Sequence, residues 1–469
     1  SSREKSPGWT TDDSASVPLP WISAKTGFAK ESGAASGYDL CQRNDPRRPD
    51  LPRGCPAMLQ RLTRCCLALI TLPLLSVTAD DEYPVSTSRG KVKVFILAGQ
   101  SNMEGRGFPE PLTWQVSQKK YRERYTHFIR NGDYEAFLKK ASASPDSKER
   151  KAAPAYLWSV RHDVWINYLE KHGDLTVGYG SPREGFGPEY NFGHVMGNHY
   201  DEQVLIIKTA WGGRALARGF LPPSSMLSAA EYARLAAEQN EKTTAWNKAE
   251  PARIEEYNRK TTAQNKTADR KRPLRKFQPR PIVTPGEHRS QFGKDSRNMV
   301  SEVHGCLAEL SQRFPGYKGQ GYEIQGFVWF QGWNDQYQDR WLTYEQNMVN
   351  FIHDVRKEFK APGMPFVIGQ MGHDGMQQDQ DGSPRDYIKT AQAAVPERPE
   401  FKNNTLCIRT DRYWDTEAHA IYTGPGGWSR DVNKWRQFGN DFPYHYYGSP
   451  WCFAQIGTAF GKGMLTLVK

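Results

Sequence analysis

Apolar residues in this chain are gathered into short, nearly unbroken runs set far apart in polar sequence. Five of these runs are Val92 to Leu97, Val204 to Lys208, Phe327 to Phe330, Pro365 to Gly369 and Leu406 to Arg409. A short run that is apolar at every position suits a strand covered on both faces, since successive side chains point to opposite sides of a sheet. Between the strands the period changes. Met348-Val349-Asn350-Phe351-Ile352-His353-Asp354-Val355-Arg356 spaces its apolar residues three and four apart and stops before Pro362-Gly363, which predicts a crossover helix. Phe453 to Leu467 predicts a final amphipathic helix. Strands alternating with helices predict an α/β fold, a three-layer α/β/α sandwich around a five-stranded parallel sheet.

Two long insertions interrupt the alternation. The first, about 114–179, is aromatic and basic, with Tyr121, Tyr125, Phe128, Trp158 and Trp165 among its residues. The second, about 222–296, opens on Ala229-Ala230-Glu231-Tyr232-Ala233-Arg234-Leu235 and runs into Asp269-Arg270-Lys271-Arg272-Pro273-Leu274-Arg275-Lys276. Its composition suits a solvated helical hairpin followed by a loop. The plain reading of the basic run is a solubilising excursion; contact with an acidic polysaccharide, sulfated or uronic, is the alternative. No nucleic-acid module surrounds it.

The first part of the chain has a different character. After Met58, the basic Arg61 and Arg64 precede the apolar Cys65 to Leu75, and Val77-Thr78-Ala79 has the form of a small-residue cleavage site. Residues 58–79 read as a secretory signal peptide, with a short core helix over Leu67 to Leu75 as the competing reading. Residues 1–57, rich in Ser, Pro and Gly without periodicity, are expected to be a disordered upstream extension. That leaves 88–469 as one domain in a secreted or periplasmic protein. Of the seven cysteines only Cys306, Cys407 and Cys452 then remain, expected to be buried and structural. No run reaches the roughly eighteen apolar residues of a spanning helix, so no membrane partner is expected. Much of the net charge of +11 sits in the second insertion.

Polar residues that could do chemistry stand at the ends of the strands. Gly99-Gln100-Ser101-Asn102 follows the first and puts a hydroxyl at the carboxyl edge of a parallel sheet, where open α/β folds collect ligands. Ser101 there is either a nucleophile or a helix cap. Trp211-Gly212-Gly213-Arg214 follows the second strand, Gln331-Gly332-Trp333-Asn334-Asp335 the third, and Asp441-Phe442-Pro443-Tyr444-His445 precedes the last helix.

Ser, Gly, Asn and His in that order, within the stretches AGQSNMEGRG (98–107), FGPEYNFG (186–193), LIIKTAWGG (205–213), FVWFQGWND (327–335) and YHYYGSPWCFAQIGTAFGKGM (444–464), resemble the SGNH hydrolase superfamily. The wording is similar to its sialate O-acetylesterase-like, or carbohydrate acetylesterase, branch. The resemblance spans the chain from about Lys91 onward and implies a flavodoxin-like SGNH hydrolase fold. It also implies a serine esterase that needs no metal or cofactor, with Ser101 as nucleophile and His445 as base. His419 is the rival base. The superfamily sets its acid three residues before the histidine, a position held here by Phe442. Asp441, Asp335 and a backbone carbonyl therefore all stand as candidates to orient His445.

Oxyanion donors would be the Ser101 amide, the Gly212 or Gly213 amide and the Asn334 side chain. Gln100, Arg106, Gln331, Glu189 and Arg214 are candidates for holding sugar hydroxyls, with a structural ion pair as the other reading for Glu189 and Arg214. Trp211, Trp329 and Trp333 could stack on a sugar. The expected function is a secreted serine esterase that deacetylates a carbohydrate, its oligomeric state left open. The alternatives are a carbohydrate-binding protein of impaired catalysis on an esterase fold, and a surface-attached protein that binds polyanions.

Overall fold

In a computed structural model the chain is described at residues 83–142, 153, 155–181, 184–267, 271–377 and 379–468. The extension and signal peptide expected over 1–57 and 58–79 lie outside the described residues. Among the described residues the sheet has seven strands: β1 Val92–Gly99, β2 Arg161–Tyr168, β3 Lys171–Leu175, β4 Val204–Ala210, β5 Tyr322–Phe330, β6 Phe366–Gln370 and β7 Thr405–Arg409. Their order is β3-β2-β4-β1-β5-β6-β7, parallel throughout except for the antiparallel pair β2 and β3.

The five anticipated runs supply β1 and β4 to β7, so the five-stranded parallel sheet expands to a mixed sheet of seven. The two further strands come from the first insertion, whose residues 161–175 extend the sheet. Their apolar signal is weak for a physical reason. β2 has its fully buried run only at Val164-Trp165-Ile166-Asn167, and the edge strand β3 exposes Lys171 and His172. An edge strand half in water has no need of a continuous apolar run.

Register within the sheet positions the site. β1 lies at the centre, and Gly99 at its end pairs with both Ala210 of β4 and Phe330 of β5. Three strands thus end at one level, and the polar segments after them emerge side by side. β1 alternates its side chains between two cores. Phe95 and Leu97 pack on one face with Phe192, Phe453, Ile456 and Phe460; Val92, Val94, Ile96 and Ala98 pack on the other with Met299, Val303, Met348 and Ile352.

The first face is covered by helices α1 Pro188–Gly197 and α4 Pro450–Leu467, the second by α2 Lys294–Ala308 and α3 Tyr344–Glu358. Helix α3 contains the predicted crossover segment. The packing of α4 on α1 depends on Gly457, where a Cβ would sit 2.3 Å from the Pro188 carbonyl oxygen. Among its described residues the second insertion has one long helix, Ala229–Asn265, followed by an extended return and the short helix Pro285–Ser290, in place of a hairpin of helices. Cys306, Cys407 and Cys452 are free thiols, the first and last buried. Among the described residues no helix is long and apolar enough to cross a membrane.

Candidate active site

Ser101 is the first residue of a one-turn helix, Ser101–Glu104, that begins directly beyond β1. The chain turns there against β5: the Gln100 amide donates to the Phe330 carbonyl at 3.2 Å, and a Cβ on Gly99 would stand 2.2 Å from that oxygen. Only glycine permits so close an approach. Ser101 Oγ lies 2.9 Å from His445 Nε2, and His445 Nδ1 lies 3.0 Å from Asp441 Oδ2. Asp441 Oδ1 accepts from the Phe442 amide at 2.7 Å.

The histidine is carried on the turn Pro443–Gly448, in which Tyr446 and Tyr447 are left-handed, with φ of 51° and 61°. Such a conformation costs about 1–3 kcal/mol per residue and persists only where the surroundings over-determine it. Here they do. The Tyr446 hydroxyl meets Thr410 Oγ1 at 2.5 Å and accepts from the Gly372 amide at 3.0 Å, and the Tyr447 hydroxyl meets His419 Nδ1 at 2.7 Å. His419, the rival base, therefore braces the loop that carries His445. Asn102 Nδ2 donates to the Tyr444 carbonyl at 3.1 Å and ties the serine turn to the histidine turn.

The other strand ends bring donors to the same edge. The Ser101 amide opens its helix and has no intrahelical acceptor. Gly213 follows β4, and its amide has no hydrogen-bond partner among the described residues. Gly212 differs, because its amide already donates to Glu104 Oε1 at 2.6 Å. Of the two glycines anticipated as donors, only Gly213 keeps a free N–H. Asn334 is half-buried on the turn Trp333–Gln336, its side-chain amide without a partner among the described residues.

Residues 91–250 and 301–420 match the family described as SASA, carbohydrate esterase, sialic acid-specific acetylesterase. The chain belongs to this family. No curated protein matches it. Among solved structures it is similar to an Arabidopsis thaliana protein at 12% identity and a TM-score of 0.39, covering 81% of this chain and 100% of that one. It is also similar to a carbohydrate acetylesterase from Xanthomonas citri at 11% identity and a TM-score of 0.35, covering 80% and 56%. For NanS the values are 12% and 0.35, covering 80% and 98%.

In this carbohydrate esterase several polar residues anticipated as substrate ligands are buried braces instead. Gln100 accepts through Oε1 from the Gly332 and Asn334 amides at 3.3 and 3.5 Å. Gln331 donates to the Arg214 carbonyl at 2.9 Å and accepts from the Tyr344 hydroxyl at 3.2 Å. Asp335, considered as an orienting acid, is wholly buried and accepts from the Leu216 and Ala217 amides at 2.8 and 2.9 Å. It fixes the loop after β4 to the end of β5 and makes no contact with His445. Burial raises its pKa to about 6, against the opposing pull of its donors.

Glu189 pairs with Lys208, not Arg214. Its Oε2 lies 3.0 Å from Nζ, and both side chains are fully buried. Burial pushes the Glu189 pKa up and the Lys208 pKa down. Arg106 is held by Glu104 at 3.2 Å. Arg214 is the more accessible of the two arginines, its side chain 40% exposed against 21% for Arg106. It lies 3.3 Å from Asp295 in a cleft of about 350 Å³ that also touches Gly213, Arg218, Lys294 and Arg340.

Trp329 is core, whereas Trp333 stacks on Tyr444 with ring centroids 5.3 Å apart, and Tyr444 stacks on Phe442 at 5.5 Å. This aromatic row beside His445 ends in Phe442, which is 49% exposed. Phe442 and Tyr444, two residues apart just before the histidine, are its sequence signal. Among the described residues no group of three or more His, Cys, Asp or Glu side chains is placed to hold a metal ion.

Proposed function

We propose that residues 88–469 form one esterase domain of a secreted serine esterase that removes O-acetyl groups from a carbohydrate. The observation that carries this reading is the continuous chain Ser101 Oγ, His445 Nε2, His445 Nδ1, Asp441 Oδ2 at the carboxyl ends of β1, β4 and β5, in a protein of a carbohydrate esterase family. A serine hydroxyl is a weak nucleophile until a base takes its proton. His445 Nε2 accepts that proton as Oγ attacks the acetyl carbonyl, and Asp441 holds the Nδ1–H tautomer and stabilises the imidazolium.

Negative charge then develops on the carbonyl oxygen. The amides of Ser101 and Gly213 and the Asn334 side chain are the donors for it. Collapse breaks the ester bond, the sugar oxygen leaves with the proton from His445, and acetyl-Ser101 remains. Water activated by the same histidine releases acetate and restores the hydroxyl. The aromatic row that ends in the exposed ring of Phe442 is the apolar surface for a sugar ring, and Arg214, in the cleft after β4, is a cation for its polar groups.

The reading of a binding protein with impaired catalysis drew on an acid one residue out of place. A 3.0 Å contact between Asp441 and His445 takes away that motive. Secretion rests on the pattern from Met58 to Ala79. The test is acetate release from O-acetylated sialic acid and from an acetylated polysaccharide. Release from either supports the proposal, and release from neither, with p-nitrophenyl acetate also left intact, contradicts it.

A further inference from the structure

The helix Ala229–Asn265 and the segment returning beside it form an arm, most of which lies in the interval 251–300 between the two family-matched stretches. Four asparagines on the helix clasp four residues of the return. Asn240 exchanges two hydrogen bonds with the backbone N–H and C=O of Val283, Asn247 with those of Arg280, Asn258 with those of Arg275, and Asn265 with those of Arg272, all at 2.8–2.9 Å. The helix spacings are seven, eleven and seven residues, which keep the four amides within about 20° of one line at 3.6 residues per turn. Seven helical residues rise about 10.5 Å and eleven about 16.5 Å. The matching three and five residues of the return span about 9 and 16 Å when extended as polyproline II. The segment is thus an extended strap in register with the helix.

The strap carries an excess of positive charge. Residues 266–284 contain seven Lys/Arg and one Asp, whereas the helix carries six of each sign, four of its cations pairing with its own carboxylates: Arg234 with Glu238, Arg253 with Glu250, and Arg259 and Lys260 with Glu256. Lys271, Arg272, Arg275 and Lys276 are all exposed, and none lies within ion-pair distance of a carboxylate among the described residues. Clasped backbone fixes where these cations stand. We infer that the strap from Lys271 to Arg280 is a binding site for an acidic polysaccharide, a chain bearing carboxylate or sulfate groups along its length.

Single-stranded nucleic acid would need open aromatic faces. Those of Tyr257 and Trp246 are covered by the Arg275 and Arg280 guanidiniums at 3.9 Å. Arginine and lysine in single file suit repeated anionic groups on a linear polymer. The choice of a polysaccharide rests on the esterase reading; the charge and its clasped presentation do not.

The experiment measures binding of the full chain to polygalacturonate and to heparin, with neutral dextran, RNA and anionic phosphatidylserine vesicles as comparisons. The expected result is binding to at least one acidic polysaccharide at ~50 mM salt that weakens steeply towards ~200 mM. The variant K271Q/R272Q/K276Q should bind it at least about tenfold more weakly, with unchanged hydrolysis of p-nitrophenyl acetate and an unchanged helical circular dichroism signal. Equal binding by the variant, absence of binding to both polymers, or tighter binding of RNA or vesicles would overturn the inference. Binding that depends on the strap in a protein with no esterase activity would sink the esterase reading and leave the polyanion site standing.

Discussion

Asp441 reaches His445 across four residues because the chain between them closes on itself. The amides of Asn440 and Asp441 both donate to the Tyr447 carbonyl, and the His445 amide donates to that of Phe442, so the two side chains emerge on one side as they would one helical turn apart. A step of three residues would place the exposed Phe442 at the imidazole instead. If Asp441 sets the tautomer, Asp441→Asn lowers kcat by up to about ten-thousand-fold while the fold is retained. Steady-state kinetics beside a melting curve check this, and near-normal turnover would assign the orienting role elsewhere.

The Asn334 side chain makes no hydrogen bond among the described residues, whereas its backbone amide meets Gln100 Oε1 at 3.5 Å. Asn334→Ala should therefore spare stability and reduce kcat by about a hundred- to a thousand-fold with little change in KM, the pattern of a donor used only in the transition state. A rise in KM alone would make Asn334 a substrate ligand.

The buried pair of Glu189 and Lys208 makes a structural prediction. Lys208 Nζ also donates to the Glu104 carbonyl at 2.8 Å, so it joins the serine turn to helix α1. Lys208→Met leaves a buried carboxylate without its partner and should cost about 3–5 kcal/mol in urea unfolding. The double variant Lys208→Met/Glu189→Gln should regain part of that loss. Equal stability of Lys208→Met and wild type would show that the pair contributes nothing.

Asp335 adds a dependence on pH. Its folded pKa of about 6 lies above the ordinary 3.8, so the folded protein holds this proton more tightly than the unfolded chain does. The associated stabilisation is complete below about pH 4 and is lost as pH rises through 6, a change on the order of 2–3 kcal/mol. Asp335→Asn removes the titration. The stability of wild type relative to Asp335→Asn should therefore fall between pH 4 and pH 7, and a flat difference would contradict the assignment.

The parts of this molecule legible in its sequence are those where a single physical demand acts on consecutive residues. β1 and β4 to β7 are covered on both faces and must be apolar throughout; β3, at an edge, may stay polar and leaves no such mark. Ser101 and Gly213 stand just beyond strand ends, and Asn334 and His445 within the turns Trp333–Gln336 and Pro443–Gly448, which local composition marks. Gln100, Gln331 and Glu189 occupy similar positions, but whether a polar side chain there turns to solvent or inward depends on partners far away in the chain, such as Tyr344 and Lys208. The place of Asp441 depends on left-handed Tyr446 and Tyr447, conformations imposed by Thr410, Gly372 and His419 and not by local preference. The strap register was present in the spacing of Asn240, Asn247, Asn258 and Asn265, but it has meaning only once the helix is known to be unbroken.

If Ser101 is the nucleophile of a carbohydrate deacetylation, the decisive comparison is kcat for acetate release from an O-acetylated sugar by wild type and by Ser101→Ala, whose small buried side chain leaves the fold in place. Wild type should turn over and the variant should fall by about a million-fold, as for loss of a serine nucleophile elsewhere. Acetate release by Ser101→Ala at a rate near that of wild type would remove Ser101 from the reaction.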